Sequence, residues 1–286
     1  MKDAVHSTTI NRVPPDETKL TASSLGRLTK HFVLGLMATM FLLAACKRAP
    51  QPSPVVLFDQ GHDQHFLVEN KGDLDLSKLG KVFTDQGFRV KSSSNDQAIT
   101  GELLSGVSAL VISGAFKPFS DHEIGAIRKF LDRGGQLCVM LHIAAPLSTL
   151  LNNLGVAISN GVIREQTNLP QPESPTDFFV TDLAPHPLTK GLTRINFYGT
   201  WALNTELPAN VVARTSPKSW IDLNDNKSLN QGDAIQAFSV VVTGQLGLGH
   251  FMVFGDDAIF QNRFLVGPNQ RLATNMASWL KVGSYY

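Results

Sequence analysis

Val55-Val56-Leu57-Phe58-Asp59-Gln60-Gly61-His62-Asp63-Gln64-His65-Phe66 reads as a short buried strand running straight into a polar strand end. Four apolar residues in a row suit a parallel strand that is covered on both faces. The Asp, the Gly and the two His that follow would be costly in a core. In an open parallel sheet, ligands sit in the crevice beyond the carboxyl ends of the strands, and this is such an end.

The pattern repeats downstream. Leu74 to Phe83 has helical spacing of Leu74, Leu76, Leu79 and Phe83, and Phe88-Arg89-Val90 begins a second strand. Ala109 to Gly114 is a third, apolar on both faces. Ser120 and Glu123 form a capping box ahead of a helix with Ile124, Ile127, Phe130 and Leu131 on one face, closed by Gly134. Gln136 to Leu141 is a fourth strand ending at His142, and Pro146 to Leu154 a further helix. This alternation predicts a three-layer, doubly wound, mostly parallel α/β sheet. Residues 161–235, with Pro, Asn and Asp clusters between short strands, predict a β-rich addition at one edge. Ala237–Thr243 and Phe251–Gly255 predict a hairpin around Gly244–Gly249, and a last helix carries Leu272, Met276, Trp279 and Leu280.

The N-terminus predicts an address. Phe32 to Ala45 is an apolar run of 14 residues behind Arg27 and Lys30, short of the ~20 needed to span a bilayer and suited to the apolar region of a secretory signal. It ends in Leu43-Ala44-Ala45-Cys46, which resembles a bacterial lipobox. On this reading residues 1–45 are a signal peptide. Cys46 becomes the acylated (palmitate-bearing) first residue, and residues 46–54 form a Pro-rich tether. The chain carries +1 overall and +2 on its first 45 residues, leaving −1 on the rest and no basic stripe for nucleic acid. The second cysteine, Cys138, lies in the apolar run Leu137–Leu141 and reads as an inert core residue.

Four sequence features together resemble class I glutamine-amidotransferase-like domains. They are Phe119-Ser120-x-x-Glu123, Gly134-Gly135 before the strand ending in His142, His186-Pro187-Leu188-Thr189-Lys190-Gly191-Leu192, and Gly255-Asp256-Asp257 with a helix closing on Trp279-Leu280. The likeness covers roughly residues 55–282 and is nearest to a branch found in bacterial lipoproteins and transporter-associated proteins. The His-Pro-Leu-Thr-x-Gly-Leu stretch is also similar to trehalose-utilisation (ThuA-like) proteins. Catalytic members of the family place a nucleophilic Cys on a strand-to-helix elbow, with a His and a Glu later in the chain. Here the elbow reads His142-Ile143-Ala144-Ala145-Pro146 and Cys138 comes four residues too early, so the glutaminase triad is absent from the pattern. Lys47 after the lipidated Cys leans toward outer-membrane sorting, as the lipoprotein resemblance implies.

The candidate cleft collects Asp59, Gln60, His62, His65, Ser113, His142, His186, Asp256 and Asp257. Three readings stay open for it. The carboxylates cap neighbouring loops; the cluster binds a ligand such as a glycan; or Asp59, His62 and His142 hold zinc or another divalent ion for hydrolysis. His186, between two prolines, sits at the cleft mouth or simply forms a turn. Asp222, Asn224, Asn226, Asn230 and Asp233, with Ser228, have EF-hand ligand spacing for a weak calcium site. Lys227 at the sixth position and Asp233 at the last also fit a loop of Asx turns. The expectation is an envelope lipoprotein facing the periplasm. It is anchored in the bilayer through Cys46 and binds a glycan, a cell-wall fragment or an envelope protein without catalysis; metal-assisted hydrolysis is the alternative.

Overall fold

A computed structural model describes residues 53–205 and 209–282 of the chain. The expected signal peptide, Cys46 and the tether up to Gln51-Pro52 lie outside them. No helix among the described residues is long and apolar enough to cross a membrane.

The first half follows the alternation. The strands β1 (Val55–Phe58), β2 (Arg89–Ser92), β3 (Ala109–Ser113) and β4 (Gln136–Met140) alternate with the helices α1 (Ser77–Asp85) and α2 (Asp121–Asp132). After β4 comes a short helix, α3 (Ser148–Asn152). The central strands are buried along their whole length because both faces are covered. Side chains alternate between two cores: Cys138 and Met140 face one, Leu137 and Val139 the other. The α2 capping box is formed, with Ser120 and Glu123 satisfying each other's backbone N–H. Gly134 closes that helix at a φ of 95°.

The second half is antiparallel. It comprises β5 (Val156–Arg164), β6 (Asp177–Val180), β7 (Asp182–Leu183), β8 (Ile195–Tyr198), β9 (Trp201–Thr205), β10 (Asn210–Arg214), β11 (Trp220–Ile221), β12 (Ala234–Ile235) and the hairpin β13 (Ser239–Leu246)–β14 (Gly249–Phe254). The terminal helix α4 (Pro268–Val282) follows. The main sheet runs β12-β11-β5-β9-β13-β14-β4-β3-β1-β2, and β10 joins β13 alongside β9. β14 returns parallel to β4, so five parallel strands form one half. The β-rich addition extends that sheet beyond β14 and begins at β5, before residue 161; among the described residues, β6 and β8 form a separate ribbon. Helices α1 and α4 pack on one face (Leu79, Phe83, Met276, Leu280) and α2 and α3 on the other (Ile127, Leu131, Leu150, Leu151).

Three local departures have physical causes. Helix α1 starts at Ser77 rather than Leu74, because the Asp75 carboxylate accepts the N–H groups of Leu67 and Gly72 and holds residues 72–75 in a turn. The segment expected as one helix from Pro146 splits into a 3₁₀ turn, Ala145–Leu147, and α3. Gly244 lies inside β13, not in the turn: a Cβ there would come within 2.3 Å of the Phe251 ring. The turn falls on Gly247, at a φ of 59°.

Gly255, where the chain leaves β14, has backbone against it. A Cβ would sit 2.2 Å from the Trp201 carbonyl oxygen and 2.5 Å from Thr200 Oγ1. Gly255→Ala is therefore expected to lower stability by about 1–3 kcal/mol, the usual cost of overpacking. Gly125→Ala, in α2 with nothing within 4 Å of the new methyl, should gain about 0.5–1 kcal/mol. Urea unfolding of the two variants reads both signs in one experiment.

Candidate functional site

The strand-end residues fall into two groups. The first is closed. Asp59, just past β1, and Glu123, in the first turn of α2, hold His62 between them: Nδ1 lies 2.8 Å from Asp59 Oδ2 and Nε2 lies 3.1 Å from Glu123 Oε1. Gln64 Nε2 donates to the same Asp59 oxygen at 2.6 Å and Gln64 Oε1 accepts the His62 N–H. Asp59 Oδ1 accepts the Gly61 N–H. The imidazole stacks on Phe119 at 3.7 Å and is 4% exposed. Burial alone would lower its pKa; the hydrogen bond to Asp59 and the two carboxylate charges outweigh that and raise it. Glu123 also accepts the N–H groups of Ile99 and Ser120. Gln60 donates its backbone N–H to Ser93 Oγ and its amide to Glu69.

This corrects the sequence expectation for Asp59, Gln60 and His62. They reach the strand end, but their polar atoms are turned onto one another and the loop, not into a cleft. Both ring nitrogens of His62 are engaged, so neither offers a lone pair to an ion. No group of three or more His, Cys, Asp or Glu among the described residues is placed to hold a metal. The combination of Asp59, His62 and His142 is therefore not a ligand set.

The second group is open. His142 follows β4 and is half-exposed, its side chain 37% accessible. Its Nδ1 lies 3.0 Å from Oδ1 of Asp257, whose side chain is 1% accessible at the end of β14. The Trp201 indole N–H donates to the His142 carbonyl at 3.1 Å, fixing the backbone beneath the ring. Phe66 meets the imidazole edge-on at 5.0 Å, Phe116 lies at 5.6 Å, and the exposed His65 stacks on Phe116 at 4.2 Å. Among the described residues His142 Nε2 has no hydrogen-bond partner. The bond to Asp257 raises the His142 pKa against the opposing effect of burial. Burial raises that of Asp257.

The floor of this group is unusual. Gly114, at a φ of 59°, lets the backbone approach so closely that a Cβ would lie 2.7 Å from Asp257 Oδ2 and 3.6 Å from the Phe66 ring. That Oδ2 atom is buried with no hydrogen-bond partner among the described residues, and so is Oγ of Ser113, the residue before Gly114. Unpaired buried polar atoms ask for a partner. Asp256, by contrast, is fully engaged. Its carboxylate accepts the Tyr198 N–H at 2.7 Å and the Ala258 N–H at 2.8 Å, while burial and the charge of Asp257 push its pKa up to about 7.

The structure thus brings His142 and Asp257 together over Gly114, with His65 stacked beside them on Phe116, and it uses Asp256 as a clamp on the β8 end. His186 is elsewhere. Its Nδ1 accepts the Leu188 N–H, capping a 3₁₀ turn, and its ring packs on Trp279, which also meets His250 at the opposite end of β14. That corrects its assignment to the cleft. Phe66, Phe116, Gly114 and Trp201 were not selected from sequence. Gly114 was visible as the glycine ending the β3 run, whereas the aromatic residues gave no local signal.

In the Asp222–Asp233 loop the carboxylate oxygens are already used. Asp222 accepts the N–H groups of Asn226 and Lys227, and Asp233 those of Leu223 and Asn230. Asn224 and Asn226 accept from Asn226 and Ser228, and Asn230 Oδ1 accepts from the Asn224 amide. This is the Asx-turn arrangement. Cys138 is fully buried, its Sγ 3.6 Å from Met276 Sδ, and burial pushes the thiol pKa well above its ordinary value.

No protein-family model matches the sequence, and neither does any curated protein. Solved structures do resemble it. The N-terminal domain of mmIFT52 aligns at a TM-score of 0.63 with 18% identity, covering 79% of this chain and 96% of that one. A ThuA-like protein from Bacteroides uniformis aligns at 0.50 with 15% identity, covering 82% and 94%. A cytoplasmic protein from Salmonella typhimurium aligns at 0.51 with 15% identity, covering 80% and 98%. The likeness is one of fold: a mostly parallel α/β sheet that this chain shares with these structures, a ThuA-like protein among them.

Proposed function

We propose that this chain is an envelope lipoprotein whose α/β domain binds a polyhydroxylated ligand, a glycan or cell-wall fragment, on the His142–Asp257 pair. One observation carries the reading. An imidazole held by a buried carboxylate presents a free Nε2 to solvent between Phe66 and Phe116, above a buried carboxylate oxygen that lacks a donor. Sugar rings stack on aromatic faces and their hydroxyls both donate and accept, so a ligand hydroxyl could pair with Nε2 while the sugar ring lies against Phe66 or Phe116. The residues at the β4 elbow, Ile143 and Ala144, supply no nucleophile. The anchor rests on the Leu43–Cys46 motif, and Lys47 favours the outer membrane.

A second reading is favoured by the same pair: His142, polarised by Asp257, could serve as a general base toward water. Calorimetry with a soluble cell-wall disaccharide and a neutral oligosaccharide separates the two, because hydrolysis would give products and a continuing heat signal. For binding, His142→Ala should weaken affinity at least about tenfold, a loss of ~1.4 kcal/mol. Undiminished affinity would remove the pair from the site. Labelled palmitate fed to the cells should be incorporated into the protein and not into Cys46→Ser; an unlabelled parent protein would refute the acyl anchor.

A further inference from the structure

The β6–β8 ribbon carries a cavity of about 290 Å³ whose lining includes neither His142 nor Asp257. Pro170, Phe179 and Tyr198 are its accessible apolar lining, Arg194 and Asn196 supply its polar rim, and Phe178 and Phe197 are buried beneath it. The register explains this surface: Phe178 and Phe197 pair on the face turned to the core, and Phe179, Asn196 and Tyr198 alternate onto the other face. Tyr198 is braced from behind by Phe264, stacked at 4.0 Å. The guanidinium of Arg194 stands 5.1 Å over the Phe179 ring. Among the described residues no carboxylate lies within ion-pair distance of it, although Asp177 and Arg194 both act electrostatically on Tyr198.

A mostly apolar cavity with one unpaired guanidinium at its rim has the make-up of a small-molecule site with an anionic anchor. A planar guanidinium binds a carboxylate through two parallel N–H donors. The aromatic walls favour a flat apolar ring over a sugar, whose hydroxyls would be stripped of water with few partners. We propose that this cavity binds a small aromatic carboxylate, its ring between Phe179 and Tyr198 and its carboxylate on Arg194.

The test is calorimetry and ligand-observed NMR on the full chain in mild detergent, with benzoate as the probe and benzyl alcohol and glucuronate for comparison. Benzoate is expected to bind saturably with a Kd of about 0.1–1 mM. Benzyl alcohol and glucuronate should each bind at least about tenfold more weakly. Arg194→Gln, at an exposed position that leaves the core intact, should cost benzoate a similar factor, and Phe179→Ala should weaken benzoate and benzyl alcohol alike. No saturable binding of benzoate up to about 10 mM, equal affinity for benzyl alcohol, or unchanged affinity in Arg194→Gln would each overturn the assignment. Tighter binding of glucuronate would overturn the aromatic class, and loss of benzoate binding in His142→Ala would place the anion at the other site.

Discussion

Glu123→Ala is expected to destabilise the domain by about 3–5 kcal/mol, the usual cost of breaking a buried charged pair by removing one partner. The carboxylate serves three masters at once. It closes the capping box of α2 through Ser120, accepts the Ile99 N–H, and faces His62 Nε2 at 3.1 Å. Its loss leaves backbone donors and one side of a buried imidazole without acceptors, and each such group is costly to strand. For a domain of this size the melting temperature should fall by roughly 10 °C. Glu123→Gln should cost less, because glutamine at the same position can keep the reciprocal cap. Asp121→Ala, on the exposed side of the same turn, should stay within about 0.5 kcal/mol. A Glu123→Ala protein that melts like the parent would free His62 from its structural role and return it to the list of ligand-binding groups.

Stability is expected to fall as pH rises from about 5 to 8. His62, His142, Asp256 and Asp257 all have folded-state pKa values above their ordinary ones. Each therefore contributes stability that is complete below the unfolded pKa and is lost as pH climbs through the folded one. For Asp256, raised by burial and by Asp257, the window runs from 3.8 to about 7. At ~1.4 kcal/mol per unit, roughly 4 kcal/mol is at stake there. For the two histidines the loss begins at 6.5. Glu123 and Glu165 act in the opposite sense. Burial works to raise them, but their hydrogen bonds hold them below 4.5, so their contribution is present above that value and lost as pH falls through the lowered one. The two sets place the maximum near about pH 5. Urea midpoints across the range check this, and Asp256→Asn should flatten the slope between about pH 4 and 7. A stability that rises from pH 5 to 8 would contradict the buried, proton-binding state of these groups.

The parallel half of the fold was legible in the sequence because each of its signals is local. Runs such as Ala109–Ser113 are apolar on every residue because both faces are covered. Ser120 and Glu123 are three residues apart, and the cap they form depends on nothing beyond that turn. Strand ends were also readable, so Asp59, His142 and Asp257 could be named as polar residues beyond apolar runs. Their division was decided only by the tertiary structure. His62 is closed off by Glu123, 61 positions later, and His142 is opened by Asp257, 115 positions later. Which way a strand-end side chain turns depends on which distant carboxylate reaches it first. The same holds for His186, drawn to Trp279 at the far end of β14, and for the aromatic cavity between β6 and β8. The chain's local pattern determined the frame; long-range pairing of buried charge determined which residues stayed available for chemistry.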